Sequence, residues 1–334
     1  METPDWIKEV WNDEHPSPCH EIVCRHCHAR NRVLVSRAVI APEKYSCAKC
    51  EKPLFLSKDE SLTDLSSRSF EHTQDASTLR SLHGIPGASA LLRTLFKHFN
   101  ERAYLYNLTA NAVKCGEDQF PELVAIVKSA NDRLGTPLTP TVFFSSTPFS
   151  NAYTSGGERA ILCFSTALLN QMNDEELKFV TGHELGHLMS EHAIAKLLLK
   201  ILLSGSLSIL PNAAKYVSVP LRMSLLKWSR CSELTADRAG LLACRDLTTA
   251  LNAMLKMVAG HDPGINQRTQ LSLAALIRQA KDLKSRDQEN LLDSVVASFF
   301  VQNQTHPLVA WRILELLDWV ENGNYLDIIS GEYF

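Results

Sequence analysis

The chain has 334 residues, 45% of them hydrophobic and 21% charged, with a formal charge of −3. This composition can bury a sizeable core, which excludes a chain disordered throughout, and it lacks the global positive charge of a dedicated nucleic-acid binder. The opening METPDWIKEVWNDEHP carries acids and no apolar run, unlike a secretory signal, so the expected location is the cytoplasm, where the chain is made.

Residues 1–56 hold five of the nine cysteines, four of them as Cys24-Arg-His-Cys27 and Cys47-Ala-Lys-Cys50, two CxxC pairs 19 residues apart. In a reducing compartment this spacing predicts a small four-cysteine zinc-ribbon domain with one structural Zn2+. Metal thiolates also supply the cross-link that so short a segment needs in order to fold. RVLV and the stretch leading into CAKCEKPLF are the expected strands; Cys19, His20, His26 and His28 are alternative ligands by residue type but are read as bystanders. No thioredoxin-like pattern surrounds either pair, which argues against a redox role. The local excess of +4 over residues 20–52 falls to about +2 once four thiolates hold a zinc ion. A docking or substrate-presenting role fits better than nucleic acid.

Residues 57–85 are serine-rich and polar, the composition of a linker, and a domain boundary is placed there. From residue 86 to 334 the pattern is globular. ASALLRTLFKHFNERAYLY reads as an amphipathic helix, and FPELVAIVKSANDRLG as another, opened by Pro121 and stopped by Gly135. TVFFSS and ERAILCFS read as short strands with NAYTSGG between them as a turn or edge segment. Asn173 followed by Glu176 predicts a capping box that opens the helix DEELKFVTGHELGHLMSEH.

That helix carries His183-Glu184-Leu185-Gly186-His187, an HExxH pattern. At 3.6 residues per turn its two histidines share one face and can reach one metal ion, while Glu184 is rotated by about 100° toward a metal-bound water. This is the arrangement of zinc metallopeptidases, although a chain with this many histidines shows it by chance in roughly a few per cent of cases. The buried character predicted for the opposite face (Leu177, Val180, Leu188) favours the metal site over a satisfied core pair.

A peptidase zinc takes a third protein ligand and keeps an open position. Downstream, SRCSELTADRAGLLA is helical, with Glu233 and Asp237 four apart on one face. Alone they would be a solvated helix face; beside HExxH, Glu233 becomes the third ligand to one catalytic Zn2+. Asp237 is then placed to accept the free N–H of a ligand histidine.

HELGH, ELTAD and THPLVAWRILEL, in this order, resemble metallopeptidase family forty-eight, which includes HtpX-type quality-control proteases and CAAX-prenyl proteases. The resemblance runs from about residue 86 to 325 and takes in NAYTSGG as the active-site strand region. It implies a mainly α, zincin-like (gluzincin-like) domain with a small β-sheet, His183, His187 and Glu233 as ligands, Glu184 as base and Asp237 in support. It also implies that His306 donates to the oxyanion of the tetrahedral intermediate; Arg312 is read as pairing with an acid. An extended protein or peptide substrate would lie along Asn151–Thr154 as an added strand.

Membrane-bound relatives span the bilayer between the two metal helices. Here only 14 residues separate Lys200 from Lys215, and Pro211 interrupts them, whereas a span needs about 20. A buried hairpin closing over the site is expected, with peripheral membrane contact through residues 196–227 (Lys196, Lys200, Lys215, Arg222, Lys227) as the alternative. The competing functions are a zinc-ribbon adaptor that uses the peptidase fold only for binding, against which the intact ligand set and base argue, and a nucleic-acid-associated protein using the ribbon, which salt-dependent binding of that module would reveal.

Overall fold

The computed structural model describes residues 4–83, 106, 108–147, 151–155, 160–190, 192, 195, 196, 199, 219–259, 271–289 and 309–333. The expected helix ASALLRTLFKHFNERAYLY, most of the 194–227 segment and His306 lie outside them.

After a short helix, Ile7–Val10, strands β1 (Cys19–Val23) and β2 (Arg30–Leu34) form an antiparallel hairpin that pairs Cys19 with Leu34 and Val23 with Arg30. The RVLV strand is therefore present, but its partner precedes the first CxxC. Around the second pair only an isolated bridge, Ser46 to Pro53, is formed.

The stretch expected as a linker contains helix α1 (Thr73–His83), and Leu62, Leu65 and Phe70 are buried in the core. Helix α2 (Pro121–Leu134) begins and ends as its sequence predicts, with proline in the first turn and Gly135 as left-handed C-cap at φ 62°. Glycine is required there twice over. A side chain at φ > 0 is strained, and a Cβ would sit 2.0 Å from the Leu62 carbonyl oxygen.

Strands β3 (Val113–Lys114), β4 (Thr141–Ser145), β5 (Ala152–Ser155) and β6 (Ile161–Ser165) form one sheet in the order β3-β4-β6-β5. β4 and β6 are parallel, and the other two pairings are antiparallel. All five β6 residues are buried, as befits an inner strand. The NAYTSGG segment contributes β5, the edge strand.

Helix α3 (Asp174–Met189) opens with the predicted capping box: Asn173 accepts from the Glu176 N–H while Glu176 accepts from the Asn173 N–H, both at 2.9 Å. It packs on α4 (Val219–Cys244), followed by α5 (Leu247–Ala259), α6 (Leu273–Glu289), α7 (Val309–Glu321) and α8 (Asn324–Ser330). The α3–α4 contact is built from small residues. A Cβ on Gly182 would lie 2.3 Å from the Ala243 Cβ, and one on Gly186 would lie 2.6 Å from the Ala239 Cβ. Two glycines four apart thus let the helix backbones approach closely, which sets the distance between their polar residues.

The cysteine module shares this core. Trp6, Ile7, Trp11, Ile22 and Val33 belong to the same buried cluster as Ile313, Leu316, Val320 and Tyr325. Trp11 Nε1 donates to Glu321 at 3.0 Å, and His20 Nε2 meets Asp327 at 2.6 Å, so this presumed bystander is tied to α8. Among the described residues no helix is long and apolar enough to cross a membrane.

Candidate metal centres and active site

The close α3–α4 packing brings His183 and His187 from one helix against Glu233 from the other. His183 Nε2 is 3.4 Å from Glu233 Oε2 and His187 Nε2 is 3.4 Å from Glu233 Oε1. A tetrahedral centre with bonds of about 2.0–2.1 Å sets its donors about 3.4 Å apart, so the set fits zinc. The ligand atoms are buried, with Glu233 only 1% exposed. Glu184, one residue beyond His183, is buried too, at 7% exposure.

A cation already sits against these donors. The Lys196 ammonium is 2.7 Å from His187 Nε2 and 2.5 Å from Glu233 Oε1. It shows that the site favours positive charge, and a metal on the same two atoms must displace it. The sequence had grouped Lys196 with basic residues of a membrane-contact segment; its ammonium turns inward.

Both histidines point Nε2 at Glu233 and Nδ1 away from it. His183 Nδ1 lies 3.0 Å from Asp237 Oδ1. Asp237 in turn is held by Arg312, Nε to Oδ2 at 2.7 Å and Nη2 to Oδ1 at 2.5 Å, the acid partner predicted for this arginine. Burial alone would raise the Asp237 carboxyl; Arg312 outweighs it and holds the group below its ordinary range. Burial would likewise depress His183, but the hydrogen bonds it donates to the Asp237 and Glu233 carboxylates lift it to about 9. His187 goes the other way: burial, then the Lys196 charge, push it well below its ordinary value. A neutral His187 is ready to bind metal, whereas His183 must first give up a proton.

His187 Nδ1 meets a residue that the sequence reading passed over, His192, at 3.0 Å. The signal available was only a third histidine five positions on. Gly182 was also missed, although a glycine one turn before Gly186 marks a close helix contact.

The four cysteines form a second cluster. Cys24 Sγ is 3.6 Å from Cys50 Sγ, and Cys27 Sγ is 3.5 Å from Cys47 Sγ. Zinc–sulfur bonds of about 2.3 Å place tetrahedral thiolates about 3.8 Å apart, so this set also fits. The two pairs repeat one backbone design: the His28 N–H donates to the Cys24 carbonyl at 2.8 Å and the Glu51 N–H to the Cys47 carbonyl at 2.9 Å. Both donors have left-handed φ, 58° and 60°. Backbone N–H groups of Cys50 and Lys49 pull the Cys47 thiol down to about 6, toward the thiolate that binds metal. Among the described residues these two clusters are the groupings of three or more donors placed to hold a metal. Cys19, His26 and His28 belong to neither.

Comparison with known proteins places this geometry in context. The model of Peptidase family M48 matches residues 117–320. Plastoglobule-localized metallopeptidase 48 of Arabidopsis thaliana is 27% identical over 269 residues, covering 80% of this chain and 76% of that protein. HtpX protease homologues of Ralstonia nicotianae and Ralstonia pickettii are 25% and 24% identical, each over 64% of this chain and 79% of the relative. No solved structure matches the chain significantly. The family match spans both helices of the histidine–glutamate site, and the chain belongs to peptidase family M48, as a metal-dependent peptidase acting on proteins or peptides.

Proposed function

We propose that the chain is a zinc-dependent metalloendopeptidase whose catalytic metal is held by His183, His187 and Glu233, with Glu184 as general base. The observation that carries this reading is the convergence of three buried donors, His183 and His187 each with Nε2 3.4 Å from a Glu233 oxygen, with buried Glu184 next to His183 on the same helix. Zinc bound there supplies a Lewis acid that polarises the scissile carbonyl and acidifies water. Glu184 takes the proton of the attacking water and hands it to the leaving amine. Asp237 orients His183, and Arg312 keeps Asp237 charged. The oxyanion donor is assigned to His306 on the family resemblance alone.

The substrate is an extended chain laid along β5, whose outer edge carries no partner strand in the sheet order among the described residues. Main-chain pairing of this kind tolerates varied side chains and demands an unfolded or loop segment. This suits protein quality control. The four cysteines carry a structural Zn2+ in a module that docks partners. We place the protein in the cytoplasm, with peripheral membrane contact through the basic residues that follow Lys196 in the 196–227 segment; the plastoglobule location in the Arabidopsis relative's name fits such an association. The deciding experiment is cleavage of an unfolded protein by the purified chain before and after zinc removal. Loss on chelation and recovery with zinc supports the reading, and no cleavage by the zinc-loaded protein overturns it.

A further inference from the structure

The two ligand histidines rest on different supports. His183 leans directly on a carboxylate, Asp237. His187 leans on another imidazole: its Nδ1 is 3.0 Å from His192 Nδ1, and His192 Nε2 is 3.0 Å from Asp75 Oδ2. Asp75 comes from α1, the stretch that the sequence marked as a linker, and it also accepts from the Thr235 hydroxyl at 2.6 Å. Thr235 stands on α4 between Glu233 and Asp237. His192, Asp75 and Thr235 are all at least 98% buried, and Trp228 closes over the His192 ring edge-on at 5.5 Å between centroids.

Hydrogen-bond direction in this chain has one solution when His187 Nε2 carries a metal. The His187 proton must then sit on Nδ1 and be donated to His192 Nδ1. His192 must in turn carry its proton on Nε2 and donate it to Asp75. Were His192 to donate from Nδ1 instead, His187 would have to accept there and hold its proton on Nε2, which blocks the metal lone pair.

From this geometry we infer that His192 and Asp75 are positioning residues for the catalytic metal: the Asp75 carboxylate sets the His192 tautomer, and His192 sets that of His187. The connector therefore belongs to the active centre. The inference rests on the metal-site reading of His183, His187 and Glu233, and it does not depend on the reaction catalysed there.

The test is zinc affinity of the full-length chain by competition with a chromophoric chelator, using His192→Phe, which keeps a ring against Trp228, Asp75→Asn and the double variant. Removing an outer partner of a ligand histidine costs about 10- to 100-fold in metal affinity. His192→Phe should weaken one zinc equivalent by that factor and leave the cysteine-bound equivalent unchanged. Asp75→Asn keeps an acceptor but loses the charge, so its loss should be smaller. The double variant should be no weaker than His192→Phe, because Asp75 acts through His192. Unchanged affinity in His192→Phe with a native near-ultraviolet circular dichroism spectrum, or additive losses in the double variant, overturns the inference. Should His192→Phe fail to fold, Asp75→Asn decides: wild-type zinc affinity there overturns the inference and weakened affinity supports it. A protein whose zinc affinity responds as expected but which cleaves nothing would sink the peptidase reading and leave this one standing.

Discussion

Arg312 grips Asp237 with two nitrogens at 2.7 and 2.5 Å, and the pair is buried directly behind His183. Removing one member of a buried ion pair leaves the other uncompensated, at a cost of about 3–5 kcal/mol. Arg312→Met should therefore lower unfolding free energy by about that amount in denaturant titration. Arg312→Lys should recover only part of it, since an ammonium cannot reproduce the two-pronged contact. Wild-type stability in Arg312→Met would show that Asp237 is held by something else.

Glu184→Gln and Glu233→Gln separate base from ligand. The first removes a proton acceptor while the three metal donors stay intact, so zinc content should hold while cleavage falls by about 10²–10⁴-fold. The second replaces an anionic donor with a neutral one, and zinc loss should accompany inactivity. Zinc content and cleavage rate measured together on both variants check the assignment; equal rates for Glu184→Gln and wild type would refute the base.

Zinc uptake at the histidine site should depend on pH through His183. In the metal-free fold its pKa stands at about 9, above the ordinary 6.5. A raised value means that the protonated imidazole stabilises the metal-free protein fully below 6.5, and that this contribution fades as pH climbs through about 9. Zinc must expel that proton, so its affinity should rise with pH up to about 9 and then level off. Calorimetry in buffers of different ionisation enthalpy, with the cysteine site already loaded, should find about one proton released per ion. A pH-independent affinity across this window would count against the Asp237–His183 pairing.

Gly182→Ala tests the helix spacing. Its methyl would meet the Ala243 Cβ at 2.3 Å and the Ala239 carbonyl oxygen at 2.9 Å. Overpacking of this kind costs about 1–3 kcal/mol, and here it also pushes Glu233 away from the histidines. Both thermal stability and zinc affinity should drop. Ala243→Gly in the same chain should restore part of each, and no rescue would mean that the two positions do not face one another.

The purified chain should carry two zinc ions by elemental analysis, because the cysteine and histidine–glutamate sets share no residue. Deleting residues 1–56 should reduce this to one. The same deletion uncovers Leu316, Val320 and Tyr325, which pack in one cluster with Trp6, Trp11 and Ile22, so the remainder should melt at a lower temperature. A truncated chain that melts like the full one would show that the shared apolar surface contributes nothing.

Much of the chemistry was legible without a structure because it is local in the chain. The spacing of His183 and His187 follows from the helical period, the cap at Asn173 and Glu176 from hydrogen bonding within four residues, and the stop at Gly135 from its free φ. The two CxxC pairs likewise announced a four-thiol cluster through short-range spacing. What tertiary structure alone decided involves partners far apart in the chain and chemically unremarkable. Asp75 looked like one acid in a polar connector, and only the packing of α1 on α4 puts it behind His192. Lys196 looked like a surface base until the chain after α3 folded its ammonium onto Glu233. The cysteine module looked separate because composition reveals a boundary but not the apolar face that Trp6, Trp11 and Ile22 present to α7 and α8. Short-range geometry is written in residue order, whereas the environment of a buried polar group depends on which distant surface covers it.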